Sequence, residues 1–276
     1  MTILCDTFLP DSKILVIDPQ LAGIAGDMFI AALVDLGANA DTVIAAMEAS
    51  VDYVPDCHKV SVRLHPVTRS EIGGLYLEIE IDESFSTRPG KVLLNAVQRM
   101  TKDLNLSKMA TNYAKRAIHI LVESEALVHK HPIEKVHLHA AGSVDTVLDI
   151  IGAAIALEDL EIVDPHTTEY FVLPIAVGGG TFPSGHGQLA APGPAVMNIL
   201  TKYTIAFRGG PQICEMATPT GVSLLAALNP VSVQVFPELY PLAVGYGAGT
   251  GELPGVPNLL RFVLGKPKWV LSAKEG

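Results

Sequence analysis

The order in which helical and extended patterns follow one another constrains this chain more than any other feature. Lys13 to Asp18 is a short apolar run that reads as a strand. In Gly23 to Ala38, the residues Ile24, Met28, Ala31, Ala32 and Leu36 recur at the spacing of one buried helical face. Gly37 supplies a stop for that helix, and Asp41 a cap for the next, through Met47. Val60, Val62 and Leu64 alternate with polar residues, as do Leu75, Leu77, Ile79 and Ile81. Both segments predict half-buried strands that neighbour one another in an antiparallel sheet. Residues 91 to 129 and Val144 to Leu160 then carry helical periodicity, with Ser107 placed to cap the second helix of that region.

Beyond Asp164 glycine and proline become dense. Tyr170–Val177 and Leu259–Leu264 read as strands, Gly178–Pro194 as a long loop, and GYGAGTGELPG (Gly245–Gly255) as a tightly turned or flexible loop. Short helices are expected near Ala195 and from Thr220 to Leu228, with Pro219 in the first turn of the latter. No fixed repeat runs through the chain. Strand and helix do not alternate regularly, so the expectation is an α+β fold. One region covers residues 1–276, with a subdivision near 164–170.

Composition excludes several classes. Apolar residues make up 49% and charged residues only 17%, which is not the make-up of a disordered chain. A net charge of −10 argues against a nucleic-acid partner, because phosphate attraction needs a basic face. No apolar run approaches the ~18 residues that span a bilayer, and MTILCDTFLPDSK has no basic region ahead of a long apolar stretch. A cytoplasmic protein with no membrane partner is therefore expected. Cys5, Cys57 and Cys214 are too few and too scattered for a disulfide framework or a four-cysteine zinc site, and read as free thiols.

Histidine carries the strongest chemical signal, with five of the nine lying between His119 and His139. If Val136–His139 is extended, His137 and His139 point to one side. A pair of imidazoles suits a divalent metal such as nickel or zinc. Asp145 and Asp149, four apart, share a helical face just downstream. The plainer alternative makes the histidines turn buttresses and the aspartates solvated. Glu125 and His129 can also meet on one face, but read as an ordinary exposed helical pair. His186, between Gly185 and Gly187, sits in a loop that would admit a ligand closely, although a turn alone explains the glycines. Thr218, Thr220 and Gly221 open a helix whose N–H groups suit a phosphate, or whose start is simply capped by Thr218. GIAGDM (Gly23–Met28) lacks the second glycine of a dinucleotide fingerprint, and no serine elbow or Cys–His pair supports nucleophilic catalysis.

Taken together, these segments resemble the LarC family of nickel insertion proteins. GIAGDMFIAALVDLG is similar to its N-terminal segment, and ESEALVHKHPIEKVHLHAAGSVDTVLDIIGAAIALEDL to its central histidine and aspartate block. SGHGQLAAPGPA, EMATPTG, GYGAG and PNLLR follow in the family's order, so the resemblance covers nearly all of residues 13 to 265. It implies insertion of Ni2+ into a pyridinium bis-thiocarboxylate mononucleotide, on the way to the nickel-pincer nucleotide. It also implies dependence on CTP and on Mg2+ or Mn2+. By resemblance, His137, His139, Asp145, Asp149 and His186 are metal or substrate contacts, and Thr218, Thr220 and Gly221 hold the substrate phosphate.

Two features depart from the family. Ala140 stands where it has glutamate after the second histidine of HxH, which removes a carboxylate. The chain also stops soon after PNLLR, where family members continue into the domain to which the resemblance assigns CTP. The expectation is the N-terminal module of a chelatase, a lyase, served by a separate C-terminal CTP-binding subunit. Homo-oligomerisation stays open. The competing readings are a metal-binding scaffold without insertase activity and, more remotely, a metal-dependent phosphohydrolase.

Overall fold

The computed structural model describes residues 12–268. Cys5 lies outside them; Cys57 and Cys214 are free thiols. The first half holds β1 (Lys13–Asp18), α1 (Gly26–Leu36), α2 (Ala40–Glu48), β2 (Cys57–Arg69), β3 (Ile72–Glu83) and β4 (Arg88–Pro89). It continues with α3 (Gly90–Asp103), α4 (Lys108–His129), β5 (His137–Leu138) and α5 (Asp145–Asp159). The second half begins with β6 (Thr168–Val172), β7 (Ile175–Ala176), β8 (Thr181–Ser184), β9 (Gly187–Ala190) and α6 (Pro194–Tyr203). It ends with β10 (Phe207–Arg208), α7 (Pro219–Leu228), β11 (Val231–Ser232), β12 (Leu239–Ala248) and β13 (Leu259–Pro267). This is an α+β fold. No helix among the described residues is long and apolar enough to cross a membrane.

A seven-stranded mixed sheet, in the order β11-β6-β1-β13-β12-β3-β2, organises the molecule. β2 and β3 pair antiparallel over their whole length, with Val62 opposite Ile79 and Leu64 opposite Leu77. α1 and α2 lie on the sheet, and α5 packs behind them against α3 and α4. Twelve of the fifteen α5 residues are buried, Thr146 to Leu157 without a break. A helix apolar all round belongs at the centre of a core, and α5 is that centre. A small second cluster of Ile14, Val16, Leu173 and Val263 lies apart from this main core.

Several local expectations need correction. Asn39, not Asp41, caps α2, because its side chain reaches the N–H of Thr42 at 3.0 Å. The Tyr170–Val177 strand breaks at Leu173-Pro174 into β6 and β7. The Gly178–Pro194 segment is not all loop, since β8 and β9 form a hairpin within it. The first part of GYGAGTGELPG is the end of β12, where Gly245 and Gly247 let α1 settle onto the strand backbone. A Cβ at Gly247 would overlap the carbonyl oxygen of Met28. Small residues chosen for close approach look the same in sequence as turn residues.

Candidate functional site

A cleft of about 680 Å³ opens where four helices begin. Gly26 and Asp27 of α1, Asp145 and Asp149 of α5, Pro194 of α6 and Pro219 and Thr220 of α7 all line it. The end of α4, the turn after β5, the β8–β9 hairpin and the β12–β13 loop close the remaining sides. Two backbone hydrogen bonds fix α1 against α7. Ile24 N–H donates to Met216 O at 2.9 Å, and Thr218 N–H donates to Ile24 O at 3.0 Å.

His129, His139 and His186 converge, each with one ligand nitrogen within 4.8 Å of the others; His139 and His186 line the cleft, and His129 does not. Their ring centroids are 4.5 Å apart for His139 and His186, 4.9 Å for His129 and His186, and 5.5 Å for His129 and His139. The trio is the one metal-competent cluster of three such side chains among the described residues. Imidazole nitrogens bind a shared ion at about 2.0–2.1 Å, so a small side-chain adjustment brings these three to bonding distance. His129 Nε2 is buried without a hydrogen-bond partner, and Glu125 stands 3.7 Å away, beyond hydrogen-bond reach. Burial and the neighbouring His186, His139 and His131 rings hold the His129 pKa below its ordinary value. That favours the neutral form, which has a lone pair to give to a metal.

The trio is only partly the set that sequence spacing suggests. His139 and His186 belong to it. His137 is exposed, paired on β5 with Pro89 of β4, and does not line the cleft. β5 is two residues long, and the turn after it, not a continuing strand, presents His139. His129, read as part of an exposed pair, supplies the third imidazole. Its position was marked in the sequence by the crowding of histidines from 119 to 139 and by its place at the end of α4.

The floor of the cleft is acidic. Asp145 and Asp149 do share one face of α5 and are joined there by Asp27 of α1. Burial raises the Asp27 carboxyl from 3.8 to about 6, with repulsion from Asp145 adding to it. Burial also raises Asp145 to about 6, helped by Glu83. Asp149 is pushed well above its ordinary value by burial and then by Asp145 and Asp27. It is 3% exposed, its Oδ1 has no hydrogen-bond partner, and Gly26 is bare because a Cβ there would overlap Oδ2. Higher in the cleft, burial lifts Glu215 to about 7 and raises Glu125. No lysine or arginine lines the cleft.

These raised values have a stability consequence. The folded chain holds protons on Asp27 and Asp145 that the unfolded chain releases near pH 4, so these two groups lower stability as pH rises from about 4 to about 6, and Glu215 and Asp149 carry the fall to higher pH. Asp145→Asn removes one of these penalties. Metal-free Asp145→Asn should unfold at higher urea than the parent at pH 7.5, with the gap shrinking toward pH 4. Equal midpoints at both pH values would show that Asp145 ionises freely.

Thr218 caps α7, accepting the Gly221 N–H at 3.1 Å, while Thr218 and Thr220 both line the cleft. Gly221 does not line it. A Cβ at Gly221 would crowd Ala25 Cα and Ile24 O at 2.7 Å, so this glycine serves the contact between α7 and the start of α1.

The chain matches the family described as nickel insertion protein over residues 15–275. It is 36% identical over 252 residues to a protein of Methanothermobacter thermautotrophicus, covering 91% of this chain and 58% of that one. It is 35% identical over 256 residues to one of Methanosarcina acetivorans, covering 92% and 60%. A Pelobacter propionicus protein is 34% identical over 251 residues, covering 91% and 60%. All three carry nickel insertion protein as a provisional name. No solved structure matches. The chain spans about three fifths of the length of these curated relatives. On the profile match and these identities, the chain belongs to the nickel insertion protein family.

Proposed function

We propose that this chain holds Ni2+ at His129, His139 and His186 and delivers it, in the cleft, to a pyridinium bis-thiocarboxylate mononucleotide. This is the nickel-inserting module of a CTP-dependent chelatase, a cytoplasmic lyase of nickel-pincer nucleotide biosynthesis. The observation that carries the reading is the convergence of three imidazoles, two of which, His139 and His186, line an acidic cleft. Imidazole is a suitable nickel ligand of intermediate softness, and the softer sulfurs of a thiocarboxylate take the metal from it. His186, on the β8–β9 hairpin, is the most exposed of the three and faces incoming substrate first. Glu125 beside His129 places a carboxylate near the metal although Ala140 offers none. The backbone N–H groups at the start of α7, with Thr218 and Thr220, offer a phosphate site. His137 stands outside this arrangement, and Asp145 and Asp149 act from the floor rather than beside the imidazoles.

CTP, with Mg2+ or Mn2+, acts through a separate C-terminal subunit in this reading. The test incubates Ni2+-loaded chain with the nickel-free bis-thiocarboxylate mononucleotide, CTP and Mg2+, with and without the C-terminal part of a longer relative. Absorbance of the metallated product is followed. Product that forms with the parent and is lost with His139→Ala supports the proposal. Absence of product under all conditions leaves the chain a metal-binding scaffold and overturns it.

A further inference from the structure

One acid in the wall of the cleft has no partner. Glu215 is half-buried there, and its carboxylate makes neither a hydrogen bond nor an ion pair among the described residues. No lysine or arginine lines the cleft to answer it. It belongs to no group of side chains close enough to share a metal ion, since only the three imidazoles form one. Phe182, on β8, comes to the same spot. A Cβ at Gly193 would lie 3.3 Å from Phe182 Cζ and 3.7 Å from Glu215 Oε1, so the ring tip and the carboxylate meet over one bare glycine. A carboxylate beside an aromatic ring attracts an organic cation through its charge and through the ring quadrupole.

The backbone then sets how far this spot lies from the start of α7. Glu215 and Ala217 make isolated strand bridges to Gly178 and Ile24, and Thr218 is extended, so the run between them is stretched. Three residues of such backbone span about 10 Å at most, the scale of a mononucleotide from its ring to its phosphate. We propose that Glu215 and Phe182 seat a flat aromatic cation, the charged ring of a mononucleotide whose phosphate lies at the start of α7. Naming that ring as the pyridinium of the nickel acceptor rests on the function proposed above; the cation seat rests on this chain's residues alone. The arrangement lets an acidic cleft accept a nucleotide. The positive ring meets Glu215, and the phosphate is held apart by helix N–H groups. Phe182 shares the β8–β9 hairpin with His186, so a ring held there lies within one hairpin of the imidazoles.

Nicotinamide mononucleotide, a pyridinium mononucleotide, serves as the probe. Its dihydro form, with the same ribose and phosphate but an uncharged ring, is the control. Each is titrated calorimetrically into the metal-free full chain at pH 8.5, where Glu215, lifted by burial to about 7, is ionised. The parent should bind the charged form about tenfold more tightly than the dihydro form, the scale of one close charge and ring contact. Glu215→Gln keeps the shape and removes the charge, and should bring the two forms within about twofold of each other. Phe182→Leu should weaken the charged form by about threefold or more. Circular dichroism checks each fold, and the two variants lie on separate segments, so one remains informative if the other fails to fold. Equal binding of the two forms to the parent, binding of neither, or a preference that survives in Glu215→Gln overturns the seat. Unchanged affinity in Phe182→Leu overturns the ring contact. No titration contains nickel, so failure of the insertion reading leaves these results intact, and failure of the seat leaves nickel binding by the trio untouched.

Discussion

Nickel affinity should fall by about 100-fold or more in His139→Ala, and by a similar factor in His129→Ala, while His137→Ala binds nickel as the parent does. Loss of a partner outside the ligand shell already costs about 10–100-fold, and His139 offers a ligand nitrogen itself. Two imidazoles remain in each variant, so binding weakens rather than vanishes. His137 is the decisive control. It is exposed, lies two residues from His139, and would be an equal partner if the HxH pair acted as a unit. Calorimetric titration at pH 7.5 separates the two arrangements. Equal losses at His137 and His139 would show that the pair, not the trio, holds the metal. Below pH 6 the affinity of the parent should decline as protons compete for the imidazoles, with His129 resisting longest because its pKa is depressed.

Arg88→Ala should destabilise the chain by about 3–5 kcal/mol, the range for breaking a buried ion pair from one side. Arg88 is 4% exposed, and its Nη1 donates to Glu83 Oε2 at 2.6 Å and to Gly142 O at 3.0 Å. Its Nη2 donates to Pro55 O at 3.0 Å. Glu83 in turn accepts the Ser143 hydroxyl at 2.6 Å and the Val144 N–H at 3.3 Å. The pair therefore fastens the end of β3 to the residues that start α5. Removing the guanidinium leaves Glu83 charged and enclosed, beside an Asp145 already raised by it. Urea unfolding at pH 7.5 measures the loss. Replacing both partners together, as in Arg88→Met with Glu83→Gln, should recover part of it, because the stranded charge is gone. A loss under about 1 kcal/mol for Arg88→Ala would mean that water reaches Glu83 freely, as at an exposed pair.

Much of this architecture was legible from periodicity. α1, α5 and the β2–β3 pair follow directly from apolar spacing, and Ser107 and Thr218 do cap their helices. Those features are local, set within a few residues. The site is less local. His139 and His186 were visible as candidates, but which third histidine joins them depends on how the end of α4 packs beside the hairpin. His129 was set aside because an i,i+4 Glu–His pair is ordinary on a solvated helix. Asp27 was seen as part of a glycine-rich helix start, without its relation to Asp149 on a helix more than a hundred residues later. The interior glycines of β12 misled in the other direction: they read as loop, because sequence does not say which backbone will press against them.

The hairpin that carries His186 has a consequence for how the protein comes into being. His129 and His139 are close in sequence and emerge together, but His186 follows well behind them, while Asp27 precedes all three and Asp145 and Asp149 fall between His139 and His186. A growing chain held at the ribosome has at most two of the three imidazoles until β8 and β9 have been made and have paired. On the proposed nickel site, tight capture would therefore wait for tertiary closure around the β8–β9 hairpin.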